Sequence, residues 1–298
     1  MNVCSMTSHL YRKYGAEKAI EILKNAGFEG IDFSVNWPVD SGVFAESDEA
    51  VIAHFKELRA LVDKAGLYVT QTHTPFPTYV ADPARDLLIR EAVRKALIGS
   101  AVLGAKYAIV HPPIMADNRY GSKSAENKAL AMEFYGSLIP TLDEWNISIA
   151  VENMWHTDPV KKTICPTTCS SAEELCDYVD TLNGMCKNGD RFVVCMDVGH
   201  TNLSARDMDV REYVNLLGHR LKALHVHDTD GVHDLHTAPG FGNVDWEAFC
   251  LGLRDIGYDG DFTFEANCFD NNFDPELMPD AERLLYRIGR NLCDKYGL

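Results

Sequence analysis

No uninterrupted apolar run in the 298 residues approaches the roughly 20 needed to span a bilayer as a helix. Met1 to Gly15 shows no apolar stretch of the kind a secretory signal carries, so a cytoplasmic location is expected. Cationic residues are scarce. Lys and Arg number 28 against 44 Asp and Glu, a net charge of −16, which argues against non-specific binding to nucleic acid or an anionic membrane. The nine cysteines are odd in number and lack framework spacing, and Cys4, Cys195, Cys250 and Cys268 lie in or beside apolar runs, as free thiols in a reducing compartment do. Cys165 and Cys169 are the closest pair, but no second pair exists to complete a zinc site. There is no low-complexity segment, no linker-like break and no Gly-rich nucleotide loop.

What is present is alternation. Short apolar runs begin near Val3, Gly30, Tyr68, Tyr107, Ile147, Phe192, Leu221 and Phe262, and amphipathic helical patterns separate them. The clearest helical stretches are Ala16 to Ala26, Ser47 to Gly66, Ala84 to Leu103, about Ala125 to Trp145, one capped by Ser170 or Ser171 and running to about Leu182, Val210 to Leu217, Trp246 to Ile256 and Pro275 to Tyr296. Strands alternating with helices imply parallel pairing with right-handed crossovers. Eight such units predict an α/β chain, a single (β/α)8 barrel domain over residues 1–298, with its active site at the C-terminal strand ends.

Six of the runs finish on a side chain able to bind a metal: His73, His111, Glu152, Asp197, His225 and Glu265. Their separations of 38, 41, 45, 28 and 40 residues each match one strand-helix unit. In a barrel these ends form a ring around one mouth, so the six side chains are expected to converge. Burying that many ionisable groups without a counter-ion is costly, and neither a nucleophilic Ser nor a reactive Cys recurs at the ring. The densest stretch is His225-Val226-His227-Asp228, followed by Asp234-Leu235-His236 and the turn Pro239-Gly240-Phe241-Gly242.

Thr72-His73-Thr74-Pro75, Val110-His111-Pro112-Pro113, Val151-Glu152-Asn153-Met154 and Met196-Asp197-Val198-Gly199-His200 resemble strand-end motifs of the xylose-isomerase-like barrel superfamily. The 225–246 stretch and Phe264-Glu265-Ala266-Asn267 complete the set. The nearest branch is that of the sugar phosphate isomerase/epimerase proteins, which includes ketose 3-epimerases; endonuclease IV is a more distant relative. The resemblance implies that Glu152, Asp197, His225 and Glu265 hold one divalent ion, Mn²⁺, Co²⁺ or Mg²⁺ before Zn²⁺. It implies a sugar isomerase or epimerase that abstracts an α-proton through a metal-stabilised enediolate, with Glu152 and Glu265 as the catalytic acid/base pair. His73, His111, His200, Asp234 and His236 would bind substrate. The expected partner is a small sugar or polyol, with no nucleic acid and no membrane, and such proteins often form homo-oligomers.

Two other activities use the same residues. A dehydratase of a cyclitol or keto acid needs the same metal and α-proton abstraction but expels a hydroxyl. An endonuclease IV-like phosphodiesterase would place zinc on His73, His111 and Glu152, on the four-residue set, and on His200, Asp234 and His236. No basic, aromatic-interleaved stripe offers a path for a nucleic-acid backbone. A binding protein that keeps the metal without turnover is disfavoured by the presence of both glutamates. Arg119 and Lys123 are the nearest cations to a strand end, and they form no phosphate cluster, so an unphosphorylated substrate is expected. His54 and His219 read as surface or packing residues, Trp37 as core packing or a sugar-stacking aromatic, Asp32 as a buried hydrogen-bonding group, and His156 and Trp155 as loop residues that either touch substrate or pack the loop.

Overall fold

The computed structural model describes residues 1–269 and 273–298. Eight parallel strands form the barrel: β1 (Val3–Met6), β2 (Gly30–Ser34), β3 (Tyr68–His73), β4 (Tyr107–Ile109), β5 (Ser148–Glu152), β8 (Phe192–Asp197), β9 (Leu221–His225) and β10 (Phe262–Phe264). From β1 to β9 each pairs with the next in the chain order given, and β10 pairs onto β1. A parallel bridge between Val226 and Phe264 closes the ring, with Val226 N–H donating to the Thr263 carbonyl at 2.9 Å and Glu265 N–H to that of Val226 at 3.1 Å. The expected (β/α)8 barrel is the fold.

The helices form where caps and apolar stripes coincide. Ser47 Oγ accepts from Ala50 N–H at the start of helix Asp48–Ala65, which ends at Gly66 in the left-handed region. Asp82 caps Pro83–Leu103, with Pro83 in its first turn, where the missing N–H costs nothing. The apolar faces of these helices and the outward side chains of the strands make one continuous core between the two layers. A second, smaller cluster, Ile109, Ala150, Cys195 and Ala223, fills the inside of the barrel. Each of its members lies two residues before His111, Glu152, Asp197 or His225. With a strand period of two, a dry floor is therefore followed directly by a layer of ionisable groups on the same inner face.

Three features differ from the sequence-based expectation. The stretch expected as one helix over 125–145 is two helices, Ser124–Gly136 and Ile139–Trp145, because Pro140 starts a new helix rather than continuing the old one. A hairpin, β6 (Trp155–Asp158) with β7 (Thr163–Pro166), follows β5 over the barrel mouth. Short helices over Ser8–Tyr14 and Val198–Ser204 follow β1 and β8. No helix among the described residues is long and apolar enough to cross a membrane.

Candidate functional site

The ring of strand ends does converge. Ligand-capable atoms of Glu152, Asp197, His225 and Glu265 all lie within 4.8 Å of one another, and all four residues are buried. His225 Nδ1 sits 3.3 Å from Glu152 Oε1 and 3.0 Å from Glu265 Oε2, so the imidazole stands between two carboxylates carried by β5 and the end of β10. His111 Nε2 lies 3.2 Å from Glu152 Oε2, and the His73 ring stacks on that of His225 with centroids 5.0 Å apart. His73, His111 and Glu152 make a second group of the same compactness.

Both carboxylate oxygens of Glu152 and Nδ1 of His225 are buried without a hydrogen-bond partner. Orphaned buried acceptors of this kind are costly unless something else satisfies them. Three carboxylates and one imidazole form a hard, oxygen-rich donor set, and the set fits a divalent ion of the Mn²⁺, Co²⁺ or Mg²⁺ type. The charges already show the strain of this crowding. Burial pushes the Glu265 carboxyl up to about 8, against the pull of His225 and His236. Glu152 is as deeply buried, yet His225 and His111 outweigh that burial and hold it well below the usual carboxylate range.

Beside this centre lies another cluster: His200, His227, Asp234 and His236. His200 Nδ1 donates to the Asn153 carbonyl at 2.8 Å, which leaves Nε2 facing Asp234 Oδ2 at 3.6 Å. Burial opposes its charge, but Asp197, Asp234 and Glu152 outweigh it and raise His200 to about 10. His236 donates from Nδ1 to the Glu265 carbonyl at 2.9 Å and presents Nε2 to Asp234 Oδ2 at 3.1 Å. His227, two residues beyond His225, belongs to this cluster. Its Nε2 donates to Asp197 at 3.0 Å and its ring stacks on His236 at 4.0 Å. Gly199 makes room for it, since a Cβ there would lie 2.1 Å from the His227 ring.

Several positioning residues were not evident from strand-end spacing. Asn153 clamps β5 to β8: its Nδ2 donates to the Asp197 carbonyl at 2.9 Å and its Oδ1 accepts from Asp197 N–H at 2.7 Å. Asp197 also caps the helix Val198–Ser204, accepting from His200 N–H at 2.7 Å, so one carboxylate places both itself and His200. Asp32, inside β2, accepts from Gln71 Nε2 at 2.9 Å and lies 3.4 Å from His225 Nε2, behind the ring nitrogen that faces the site. A carboxylate there orients an imidazole ligand and sets its tautomer. Asp228 accepts from the backbone of Thr229, Gly240 and Val244 and from Trp246 Nε1, and so shapes the loop that carries Asp234 and His236.

A cavity of about 580 Å³ opens above these groups. His73, His111, Glu152, His200, Asp234, His236 and Glu265 all line it, as do Trp155 and His156 from the hairpin. Trp155 Nε1 donates to Asp234 Oδ2 at 3.2 Å. Arg119 and Lys123 do not line it, and neither does any other described Lys or Arg. A smaller recess of about 140 Å³, sharing His73 and Glu265 with the cavity, includes Arg12. His54 packs against Phe55 and His219 is exposed, as expected; Trp37 stacks on Phe55 and also lines the smaller recess. Cys165 and Cys169 are buried free thiols outside every metal-capable group of described residues.

A family profile described as "Xylose isomerase-like TIM barrel" matches residues 20–287. An uncharacterised protein of Methanocaldococcus jannaschii is 24% identical over 218 residues, 70% of this chain and 69% of that protein. Among solved structures, an L-ribulose 3-epimerase superposes with TM-score 0.72 at 15% identity, covering 99% of this chain and 94% of the other. A D-tagatose 3-epimerase-like protein gives 0.71 at 19% identity, with 99% of both chains covered. A 3-keto-D-glucoside 4-epimerase from E. coli gives 0.71 at 14%, covering 96% and 98%.

Proposed function

The chain belongs to the xylose isomerase-like TIM barrel family, and from that premise we propose that it is a divalent-metal-dependent isomerase or epimerase of a ketose or related polyol. One observation carries the reading: Glu152, Asp197, His225 and Glu265 bring ligand atoms within 4.8 Å of one another at the base of a cavity that Glu152 and Glu265 line. These four residues would hold the ion. When bound, it supplies Lewis-acid polarisation to a carbonyl oxygen and so acidifies the neighbouring carbon.

The protein's own groups do the rest. Glu152 and Glu265 arrive from β5 and β10, three strands apart by the shorter way round the ring, and flank the space where the reacting carbon would sit. One carboxylate takes the proton from one face of that carbon and the other returns a proton to the opposite face, which inverts it. His200 and Asp234, fixed by Asn153 and Trp155, hold hydroxyls of the chain. His73 and His111 line the same cavity beside Glu152. The similarity of the fold to ketose 3-epimerases supports this assignment.

The test is carbon-bound deuterium incorporation into a ketose in D₂O, read by NMR with Mn²⁺, Co²⁺ or Mg²⁺ present. Glu152→Gln should lower the exchange rate by at least about 100-fold, the scale of a lost general base, with metal content measured in parallel. Residual exchange near the wild-type rate would remove Glu152 from the proton transfer. Formation of a dehydrated product instead of an epimer would assign the same residues to a dehydratase.

A further inference from the structure

The cavity is larger and more apolar than a free monosaccharide needs. At about 30 Å³ per water-sized group, 580 Å³ holds about nineteen groups, against about a dozen heavy atoms in a ketohexose. The ionisable groups His73, His111, Glu152, His200, Asp234, His236 and Glu265 cluster at the strand ends, and His156 and Thr157 add polar groups from the hairpin. The outer wall is Phe76, Tyr79, Pro112, Ile114, Met154 and Trp155. Phe76 is 46% exposed, lines the cavity and lies against His111, ring centroids 4.5 Å apart, so an open aromatic ring borders the ionisable cluster. An aromatic ring left open at the mouth of a polar cavity suits the C–H face of a second sugar ring.

We propose that the substrate is a neutral glycosylated ketose, with the keto-sugar on the floor of the cavity and the second ring stacked on Phe76 along the apolar wall. The proposal rests on the epimerase reading above and adds the size and charge of the substrate to it. Neutrality follows from the lining: no described Lys or Arg faces this cavity, in a chain of net charge −16, so an anionic tail placed along the wall would have no counter-charge. The glycosyl group must sit on an oxygen remote from the carbonyl, because the carbonyl and the hydroxyl beside it belong at the metal-ligand floor. A 6-O-glycosyl ketose meets that condition. No bond to the second ring is made or broken; the only change is the proton removed from, and returned to, the carbon next to the carbonyl.

The experiment compares three probes in D₂O with the metal-loaded enzyme: D-fructose, 6-O-glucosyl-fructose and fructose 6-phosphate. The expected result is a kcat/KM for exchange at least tenfold higher for the glucosyl ketose than for fructose. Phe76→Ala should bring that ratio down towards one; because Phe76 is half-exposed, the variant is expected to fold, and circular dichroism checks this. A ratio at or below one in the wild type, with fructose still exchanging, overturns the proposal and leaves the epimerase reading standing. A preference for fructose 6-phosphate also overturns it, and would point to Arg12 in the smaller recess. Exchange with none of the three overturns both.

Discussion

Replacing Asp228 by Ala tests whether one buried carboxylate organises the loop that completes the site. Asp228 is fully buried. Oδ1 accepts from Thr229 N–H at 2.9 Å and Val244 N–H at 3.1 Å; Oδ2 accepts from Gly240 N–H at 2.8 Å and Trp246 Nε1 at 3.0 Å. Gly242 packs so tightly on it that a Cβ would lie 2.3 Å from Oδ1. The alanine variant strands four donors. At about 1 kcal/mol each, the low end for a buried orphan, the loss is about 4 kcal/mol. That is a large part of the roughly 5–15 kcal/mol a domain possesses, and for 298 residues it corresponds to a fall in Tm of about 6 °C. Asp228→Asn keeps the shape but turns an NH₂ group towards two of the donors, so about half the loss is expected. Urea unfolding followed by far-UV circular dichroism and by tryptophan fluorescence gives both values. If the alanine variant unfolds within 1 kcal/mol of wild type, the loop does not depend on Asp228 and the reasoning fails.

Two further substitutions probe the frame that holds the barrel. Gly99→Ala in helix Pro83–Leu103 would put a Cβ 2.3 Å from the Phe55 ring. Alanine gains about 1 kcal/mol in helix propensity, but overpacking costs about 1–3 kcal/mol, so net destabilisation is expected in urea titrations, with relief by Phe55→Leu. Arg94 donates to both oxygens of Asp48, at 2.9 and 2.5 Å, and this bonding holds the Asp48 carboxyl below its ordinary range. The stability it contributes is therefore full above the unfolded carboxyl value of about 4 and is lost as pH falls through the lower folded value. Arg94→Met should cost about 1 kcal/mol or less for so exposed a pair, with the difference from wild type constant between pH 8 and 5 and shrinking below about 4. A difference that grows on acidification would contradict the assignment.

The barrel and the convergence of its strand-end side chains were legible because strand period and strand-helix spacing are local properties of the chain. His73, Glu152, Asp197, His225 and Glu265 end or follow their strands, and the inward layer of Ala150, Cys195 and Ala223 two residues earlier shows the same period. What was not legible depends on contacts between distant segments. His227 shares the strand parity of His225, yet it turns to Asp197, because β9 ends at His225 and the chain beyond is bent by its pairing with Thr237. Asp32 carries no strand-end signal; its relation to His225 exists only across the barrel interior, 193 residues away in sequence. The hairpin over Trp155–Pro166 lacks clean alternation and rests on the site rather than on a core, so propensity alone did not mark it. The break near Ser137 was signalled by Pro140, which reads equally as a kink within one helix or the start of another.

The central claim is that Glu152, Asp197, His225 and Glu265 hold one divalent ion, and elemental mass spectrometry of the purified protein tests it most directly. About one Mn, Co or Mg per chain is expected in the wild type, falling to near zero in Asp197→Asn and His225→Ala variants that keep their far-UV circular dichroism. Two or three zinc ions per chain would contradict the single-ion account and make ligands of His73, His111, His200, Asp234 and His236. An unchanged metal content in both variants would place the ion elsewhere.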